Sequence, residues 1–296
     1  MIHVVGNAAI DTIYRVERFP LPGETIIANG MTEDIGGKGA NQAIVAARAG
    51  ATVRLVAPVG KDAAASRIRT ALADEGVIDG LVAADTPTDR SSVYVDSAGE
   101  NTIVSLTALA GAFDPLAAGA LDGVDAGDVV LCQANIGLSA LIACLSAARA
   151  KGALTVLNPS PVFRSAAFDW HPAMVVVLNR IEAEQLTGER DARTAAERLR
   201  AAGAGAVVVT LGADGAVMVG DGIVDVTAPK VDAVDTTGAG DVFCGMVTAM
   251  RARDLSFEDS LALAAGAAAL SVTRRGVLAS FPTSGEIEAL MSKRLG

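Results

Sequence analysis

Aromatic residues, cysteines and long apolar runs are all scarce in this chain of 296 residues. Aromatic side chains make up 3% of the sequence, and the cysteines are three: Cys132, Cys144 and Cys244. No uninterrupted apolar run approaches the roughly eighteen residues that cross a bilayer, and the N-terminus has no basic signal-peptide head. We therefore expect a cytoplasmic protein without a membrane segment, whose cysteines are reduced and mostly buried.

Positive charge is also in short supply. Lysine and arginine number 24 against 34 acidic residues, which gives a formal net charge of −10. A nucleic-acid backbone needs a basic surface, so nucleic acid is excluded as a partner. An anionic ligand must therefore be held by local features of the fold.

Short apolar runs recur along the chain, and each ends at a polar residue. The runs are Ile2–Val5, Val129–Cys132, Leu154–Leu157, Met174–Leu178 and Val207–Val209. Helical stretches such as Leu138–Ala150 and Ala192–Ala202 separate some of them. This alternation predicts an α/β fold with a central, mostly parallel sheet that is flanked by helices on both faces. In such sheets ligands bind beyond the carboxyl ends of the strands, where the polar residues fall.

Two segments do not follow this alternation. Residues 11–34 contain Pro20 and Pro22 among alternating apolar and polar residues, and residues 90–107 have the pattern of strand, turn and strand. These strands form either a separate small sheet that closes over a ligand as a lid, or an extension of the main sheet. Since no linker is evident, we expect one domain spanning 1–296 that includes these strands.

The stretch Asp235–Asp241 places small residues between two carboxylates at the start of an apolar helix that extends through Met250. At a helix start the backbone N–H groups lack partners and the helix dipole favours an anion. We therefore expect residues 238–240 to bind phosphate. Asp241 beside such a site suits a general base that takes a proton from an attacking hydroxyl. The alternative is that Asp241 only caps its helix.

A second glycine-rich stretch, Gly36–Gln42, opens a helix that ends near Gly50. It matches neither the P-loop spacing nor a dinucleotide-binding motif after a strand. The paired glycines let the backbone approach a ligand closely, while Lys38 and Asn41 are suited to holding hydroxyls or a phosphoryl oxygen. The alternative is a plain turn followed by a helix start.

Three shorter features carry polar groups at strand ends. Asn179 and Glu182 suit water-mediated Mg²⁺ binding and also form a capping-box pattern, and the two interpretations are compatible. Thr210–Gly215 follows a strand and either passes close to a nucleotide or forms a tight turn. Asp11 is a lone carboxylate among apolar neighbours, able to accept hydrogen bonds from sugar hydroxyls.

In their order along the chain, these motifs resemble the ribokinase-like, or PfkB-type, carbohydrate and nucleoside kinases. The resemblance covers essentially the whole chain, from Val4-Val5-Gly6 to Val272–Gly276, and rests mainly on the two glycine-rich motifs. It implies ATP-dependent phosphorylation of a hydroxymethyl group.

The resemblance also implies a role for each matched position. The base would be Asp241, with an anion hole formed by the backbone N–H groups of Gly238, Ala239 and Gly240. Mg²⁺ and phosphates would be organised by Asn179 and Glu182, and the nucleotide would lie along Thr210, Gly212, Gly215 and Gly240. The acceptor would be held by Asp11, Gly37, Lys38, Asn41 and Asn135. A monovalent cation, expected to be K⁺, would bind near Asp235, Thr237, Arg275, Gly276 and Ser280.

Two positions of the sugar pocket depart from the pattern of ribokinases, the members that these motifs resemble most. Ala9 stands where an asparagine is usual, and Asn135 stands where a glutamate is usual. Both changes alter which hydroxyl groups the pocket can satisfy. We expect a pentose or related sugar as the acceptor; a nucleoside is the alternative, and a catalytically inactive sugar or nucleotide sensor is the third hypothesis. A lid with an exposed apolar face predicts a homodimer.

Overall fold

The computed structural model describes residues 1–163 and 168–296. The strands are β1 (Ile2–Val5), β2 (Ala9–Arg15), β3 (Gly30–Gly36), β4 (Val53–Val56), β5 (Pro58–Gly60), β6 (Ile78–Asp79), β7 (Val82–Ala84), β8 (Arg90–Val95), β9 (Asn101–Leu106), β10 (Val129–Gln133), β11 (Leu154–Asn158), β12 (Met174–Asn179), β13 (Ala206–Thr210), β14 (Ala216–Val219) and β15 (Ile223–Val226). The helices are α1 (Lys38–Arg48), α2 (Ala63–Asp74), α3 (Ala108–Ala112), α4 (Leu138–Ala150), α5 (Arg180–Thr187), α6 (Ala192–Ala201), α7 (Ala239–Arg251), α8 (Phe257–Ser271) and α9 (Ser284–Leu295).

The main sheet has the strand order β15-β14-β13-β12-β11-β10-β1-β4-β6. All pairs from β13 to β6 are parallel, whereas β14 and β15 add two antiparallel strands at one edge. The five apolar runs identified in the sequence form the contiguous strands from β13 to β1. The predicted mostly parallel α/β sheet is therefore confirmed.

Alternate residues of the central strands pack into two separate core layers. Val4 belongs to the layer that includes Ile44 of α1 and Val247 of α7, whereas Val5 belongs to the layer that includes Leu141 of α4. Because both faces of these strands are covered by helices, the strands are mainly apolar, with His3 of β1 and Thr155 of β11 as buried polar residues inside them.

The strands β3-β2-β8-β9 form a second sheet in that order. This is the predicted small sheet, and it is separate from the main sheet rather than an extension of it. Its edge strand β9 leaves Ile103 and Val104 exposed, at 51% and 67% of their surface. On the inner strands, by contrast, Ile13 and Val93 are buried.

The cysteines agree with the sequence analysis. Cys132, Cys144 and Cys244 are all buried and none is in a disulfide. Within residues 1–163 and 168–296, no helix is both long enough and apolar enough to traverse a bilayer.

Candidate active site

Asp241 lies in the first turn of α7, but it does not cap that helix. The N-cap position belongs to Gly238, whose φ of 79° lies in the left-handed region that glycine tolerates best. A Cβ on Gly238 would also lie 2.7 Å from the ring of Phe281. The N-cap interpretation of Asp241 is therefore wrong, and its carboxylate is free to serve other partners.

Two side-chain amides from α1 hold the Asp241 carboxylate. Asn41 Nδ2 donates to Oδ2 and Gln42 Nε2 donates to Oδ1, both at 2.9 Å. Lys38 Nζ lies 3.9 Å from Oδ1. The helices that follow the two glycine-rich motifs thus meet at Asp241, although the motifs lie far apart in the sequence.

Glycines allow α1 to begin this close to the first strands. Gly37 precedes the helix with a φ of 89°, and a Cβ there would lie 2.9 Å from Ala8 Cα. A Cβ on Gly39 would lie 2.6 Å from the carbonyl oxygen of Asn7. Contacts under 3.0 Å of this kind require the backbone to shift, so the close packing depends on both glycines.

A cleft of about 620 Å³ opens between the small sheet and the helix starts. It is lined by eight predicted site residues: Asp11, Gly37, Lys38, Asn41, Asn135, Thr237, Gly238 and Asp241. Cavities of about 500 and 510 Å³ elsewhere contain none of the predicted site residues. In the cleft, Asn41 Oδ1 and Asn135 Oδ1 are buried without a hydrogen-bond partner among the described residues. Such orphaned acceptors indicate a place for a ligand hydroxyl or a water.

Asp11 lies on β2, where its carboxylate packs against the backbone of Gly36. A Cβ on Gly36 would lie 2.1 Å from Asp11 Oδ2, so a side chain at position 36 would displace the Asp11 carboxylate. Burial raises the pKa of Asp11 to about 6; the Ser91 hydroxyl opposes this effect, and the charge of Asp241 adds to it. A carboxylate with so little solvation is suited to accepting hydrogen bonds from ligand hydroxyls.

Five predicted Mg²⁺ and nucleotide residues do not line this cleft: Asn179, Glu182, Thr210, Gly212 and Gly215. Asn179 Oδ1 accepts from Glu182 N and Glu182 Oε2 accepts from Asn179 N, both at 2.9 Å, so the capping box is present. Thr210 pairs with Asn179 across β12 and β13. No cluster of three or more metal-ligating His, Cys, Asp or Glu residues occurs among the described residues.

The segment after Thr210 forms a tight turn. Gly212–Asp214 is one 3₁₀ turn, and Gly212 has a φ of 63°. A Cβ on Gly215 would lie 2.0 Å from the carbonyl oxygen of Val226. Strand packing alone therefore accounts for the glycine at 215.

The structure brings together part of the predicted cation site. Asp235 Oδ1 accepts from Thr237 N at 3.0 Å, and Oδ2 accepts from Gly276 N at 3.1 Å. Ser280 is buried and its hydroxyl donates to the carbonyl of Val277. Arg275 is exposed on the same loop.

Comparison with known proteins identifies the family of this chain. The model of the pfkB family carbohydrate kinases matches residues 1–284. The chain belongs to this family. The predictions of the family, of its fold and of an ATP-dependent sugar kinase are thereby confirmed.

Relatives of this pfkB family kinase cover nearly its whole length. A ribokinase from Haemophilus influenzae is 30% identical, over 96% of this chain and 95% of the relative. A deoxyribokinase from Salmonella typhi is also 30% identical, over 98% of both. Among solved structures, a ribokinase from Thermotoga maritima has a TM-score of 0.85 at 28% identity, covering 98% of this chain and 99% of that one. An Arabidopsis thaliana ribokinase complexed with ribose and ATP has a TM-score of 0.81 at 27% identity, with 98% of each chain covered.

Sequence reasoning did not identify Gln42 as a site residue, although it stands next to Asn41 in the motif. Its contact with Asp241 joins residues 199 positions apart. Gln42 has no exposed surface, and a buried amide inside an apolar helix face is itself a signal of a polar partner.

Proposed function

We propose that this kinase transfers the γ-phosphoryl group of ATP to the primary alcohol of a pentose, with ribose and 2-deoxyribose as the leading acceptors. The observation that supports this proposal most directly is the buried Asp241 carboxylate, which lines the cleft at the N-terminal end of α7. The ribose-and-ATP complex of the Arabidopsis ribokinase and the Salmonella deoxyribokinase support these acceptors.

In the proposed reaction, Asp241 takes the proton of the attacking hydroxyl while backbone N–H groups hold the transferring phosphoryl group. General-base catalysis of this kind contributes about 10²–10⁴ in rate. The N–H of Ala239 already donates to the carbonyl of Thr236 at 3.3 Å. The N–H groups of Gly238 and Gly240 are therefore proposed as the main donors of the anion hole, and the positive end of the helix dipole supports them.

The nucleotide is proposed to lie along Thr210 and Gly212, with Mg²⁺ beside Glu182. Mg²⁺ commonly takes one or two carboxylates and completes its shell with water and phosphate oxygens. Glu182 fits that role because the capping box engages only its Oε2 atom. K⁺ is proposed to bind near Asp235 and the loop of residues 275–280, which would then support the start of α7.

The acceptor is proposed to lie between Asp11, Lys38, Asn41 and Asn135. None of the described residues lining the cleft is aromatic, so the cleft offers no ring on which a nucleobase would stack. This observation favours a sugar over a nucleoside. Catalytic residues and an anion-binding helix start in one cleft also favour an enzyme over a sensor.

Three further properties complete the proposal. The small sheet acts as a lid over the acceptor, and the exposed Ile103 and Val104 on its edge are where a second copy of the chain docks to form a homodimer. The chain forms one domain, 1–296. A cytoplasmic location is supported by the three free cysteines.

The proposal is tested by measuring ADP release with Mg·ATP across pentoses, hexoses and nucleosides, each with and without K⁺. We expect ribose or 2-deoxyribose to give the largest kcat/KM, and K⁺ to increase it. Preference for a nucleoside would contradict the sugar assignment. No ADP release with any acceptor would favour the hypothesis of a catalytically inactive sensor.

A further inference from the structure

Gln42 lies behind Asp241 rather than in the cleft. Its side chain is fully buried, and Nε2 donates to Asp241 Oδ1 at 2.9 Å. The adjacent Asn41 donates to Oδ2 and also lines the cleft. Two neighbouring residues therefore hold the two carboxylate oxygens, and of these only Asn41 lines the cleft.

The Gln42 amide continues into a chain of hydrogen bonds that ends in the main sheet. Nε2 also donates to Asn158 Oδ1 at 3.1 Å, and Asn158 Nδ2 donates to the carbonyl oxygen of Val177 at 2.9 Å. Gln42 Oε1 accepts from Gln133 Nε2 at 2.9 Å. Gln133 and Asn158 are paired at the ends of β10 and β11. The chain thus connects Asp241 to three parallel strands.

The direction of each amide in this chain is determined by two groups that only accept hydrogen bonds. The Val177 carbonyl requires the Asn158 NH₂ group, so Asn158 Oδ1 faces Gln42. The Asp241 carboxylate likewise requires a donor from Gln42. A rotated Gln42 amide would place its oxygen against these two oxygens and leave the Gln133 NH₂ group facing another NH₂ group. Because unpaired buried polar groups are costly, the two acceptors determine the orientation of the Gln42 and Asn158 amides, although Gln133 Oε1 has no hydrogen-bond partner among the described residues.

We propose that Gln42 is a positioning residue, which orients the Asp241 carboxylate for taking the acceptor's proton and is itself fixed by Asn158 and Gln133. This inference rests on the proposed role of Asp241 as the base. A general base must lie within hydrogen-bond reach of the proton it abstracts, and small misplacements lower turnover strongly. Since Gln42 does not reach the cleft, it acts on turnover and not on the binding of either substrate.

The replacement Gln42→Met keeps the length of the side chain and removes its hydrogen bonds. We expect kcat to fall roughly 10- to 100-fold, with both KM values and the nucleotide Kd within about threefold of wild type. Gln133→Met removes only the partner of Gln42 Oε1, and we expect a smaller fall of roughly two- to fivefold.

Thr248→Val is the matched control. Thr248 is fully buried on α7, and its hydroxyl donates to the carbonyl of Cys244 at 2.8 Å without contacting Asp241. We expect its kcat to equal that of the wild type. Thermal unfolding of each variant reports whether the fold is retained.

Gln42→Glu gives a readout that lost packing does not produce. While the introduced carboxyl group carries the proton that it shares with Asp241, it still donates a hydrogen bond. Once that proton is lost, two carboxylates face each other. We expect kcat of Gln42→Glu to fall with rising pH over a range in which kcat of the wild type does not change. The pH profile of Gln42→Met should have the same shape as that of the wild type.

The outcomes separate this inference from the proposed function. A Gln42→Met enzyme as active as Thr248→Val, or a Gln42→Glu profile parallel to that of the wild type, contradicts the positioning role. If Gln42→Met does not fold, the positioning role is tested by the pH profile of Gln42→Glu and by the kcat of Gln133→Met. An active Asp241→Asn variant contradicts the base role itself, whereas inactive Asp241→Asn beside fully active Gln42→Met contradicts only the positioning role.

Discussion

The acceptor side and the proposed nucleotide side of this site are built in different ways. Around Asp241, buried amides from α1 bond across 199 and 200 residues of sequence. Around Asn179 and Glu182, the hydrogen bonds are local, span three residues, and lie at an exposed helix start. The proposed catalytic carboxylate is therefore positioned by long-range packing, whereas the proposed nucleotide-side residues are positioned by a cap that forms within a single segment.

This contrast predicts that the largest loss of turnover comes from the buried side. Asp241→Asn keeps the shape of the side chain but cannot take a proton, so we expect kcat to fall about 10²- to 10⁴-fold. Nucleotide affinity, measured by calorimetry, should change little, because the proposed nucleotide contacts lie elsewhere. Asp221→Asn, at an exposed carboxylate that pairs with Arg200, is the control for a lost charge and should leave kcat unchanged.

Asp11→Asn should weaken the binding of the sugar and increase the stability of the fold. We expect KM for the sugar to rise roughly tenfold, because a charged acceptor of hydroxyl hydrogen bonds is lost. Since the folded-state pKa of Asp11 is raised to about 6, the wild type loses stability as pH rises from about 4 to 6. The variant lacks this loss and should be more stable by about 1–3 kcal/mol at pH 7.5.

Denaturant unfolding of Asp11→Asn and the wild type at pH 4 and pH 7.5 measures that difference. We expect the advantage of the variant to shrink toward pH 4, where the wild-type carboxyl group is also protonated in the folded state. An advantage that is the same at both pH values would show that burial of the charge is not its cause.

The smallest effect is expected on the nucleotide side. Glu182→Gln keeps a capping-box side chain and removes the charge proposed to lie beside Mg²⁺. We expect the Mg²⁺ concentration for half-maximal rate to rise severalfold while helix α5 stays intact. Glu184→Gln, on the exposed face of the same helix, is the matched control, and an equal response in both variants would remove Glu182 from the metal site.

The sequence analysis succeeded where a local signal decides the structure. The limits of α4 were predicted to the residue, and the capping box of Asn179 and Glu182 follows from a spacing of three. The five central strands were found because burial on both faces makes them largely apolar. Predicted site residues of both glycine-rich motifs lie around one cleft.

The features that were missed depend on contacts between distant segments. The network of Gln42, Gln133 and Asn158 has no periodicity or spacing in the sequence, because its members meet only after the sheet and α1 have packed. The choice between a lid sheet and an extension of the main sheet likewise depended on strand pairing. Short strands such as β5 and β7 pair with each other, and their three-residue length gives too little pattern to identify them.

The most direct test of the central claim is the position of the transferred phosphate. The kinase is incubated with Mg·ATP, K⁺ and the pentose that gives the highest kcat/KM, and the product is examined by ³¹P–¹H correlation NMR. We predict that the phosphorus couples to the two protons of the terminal CH₂O group, because Asp241 would act on the primary alcohol. Coupling to the anomeric proton, or release of inorganic phosphate alone, would contradict the account.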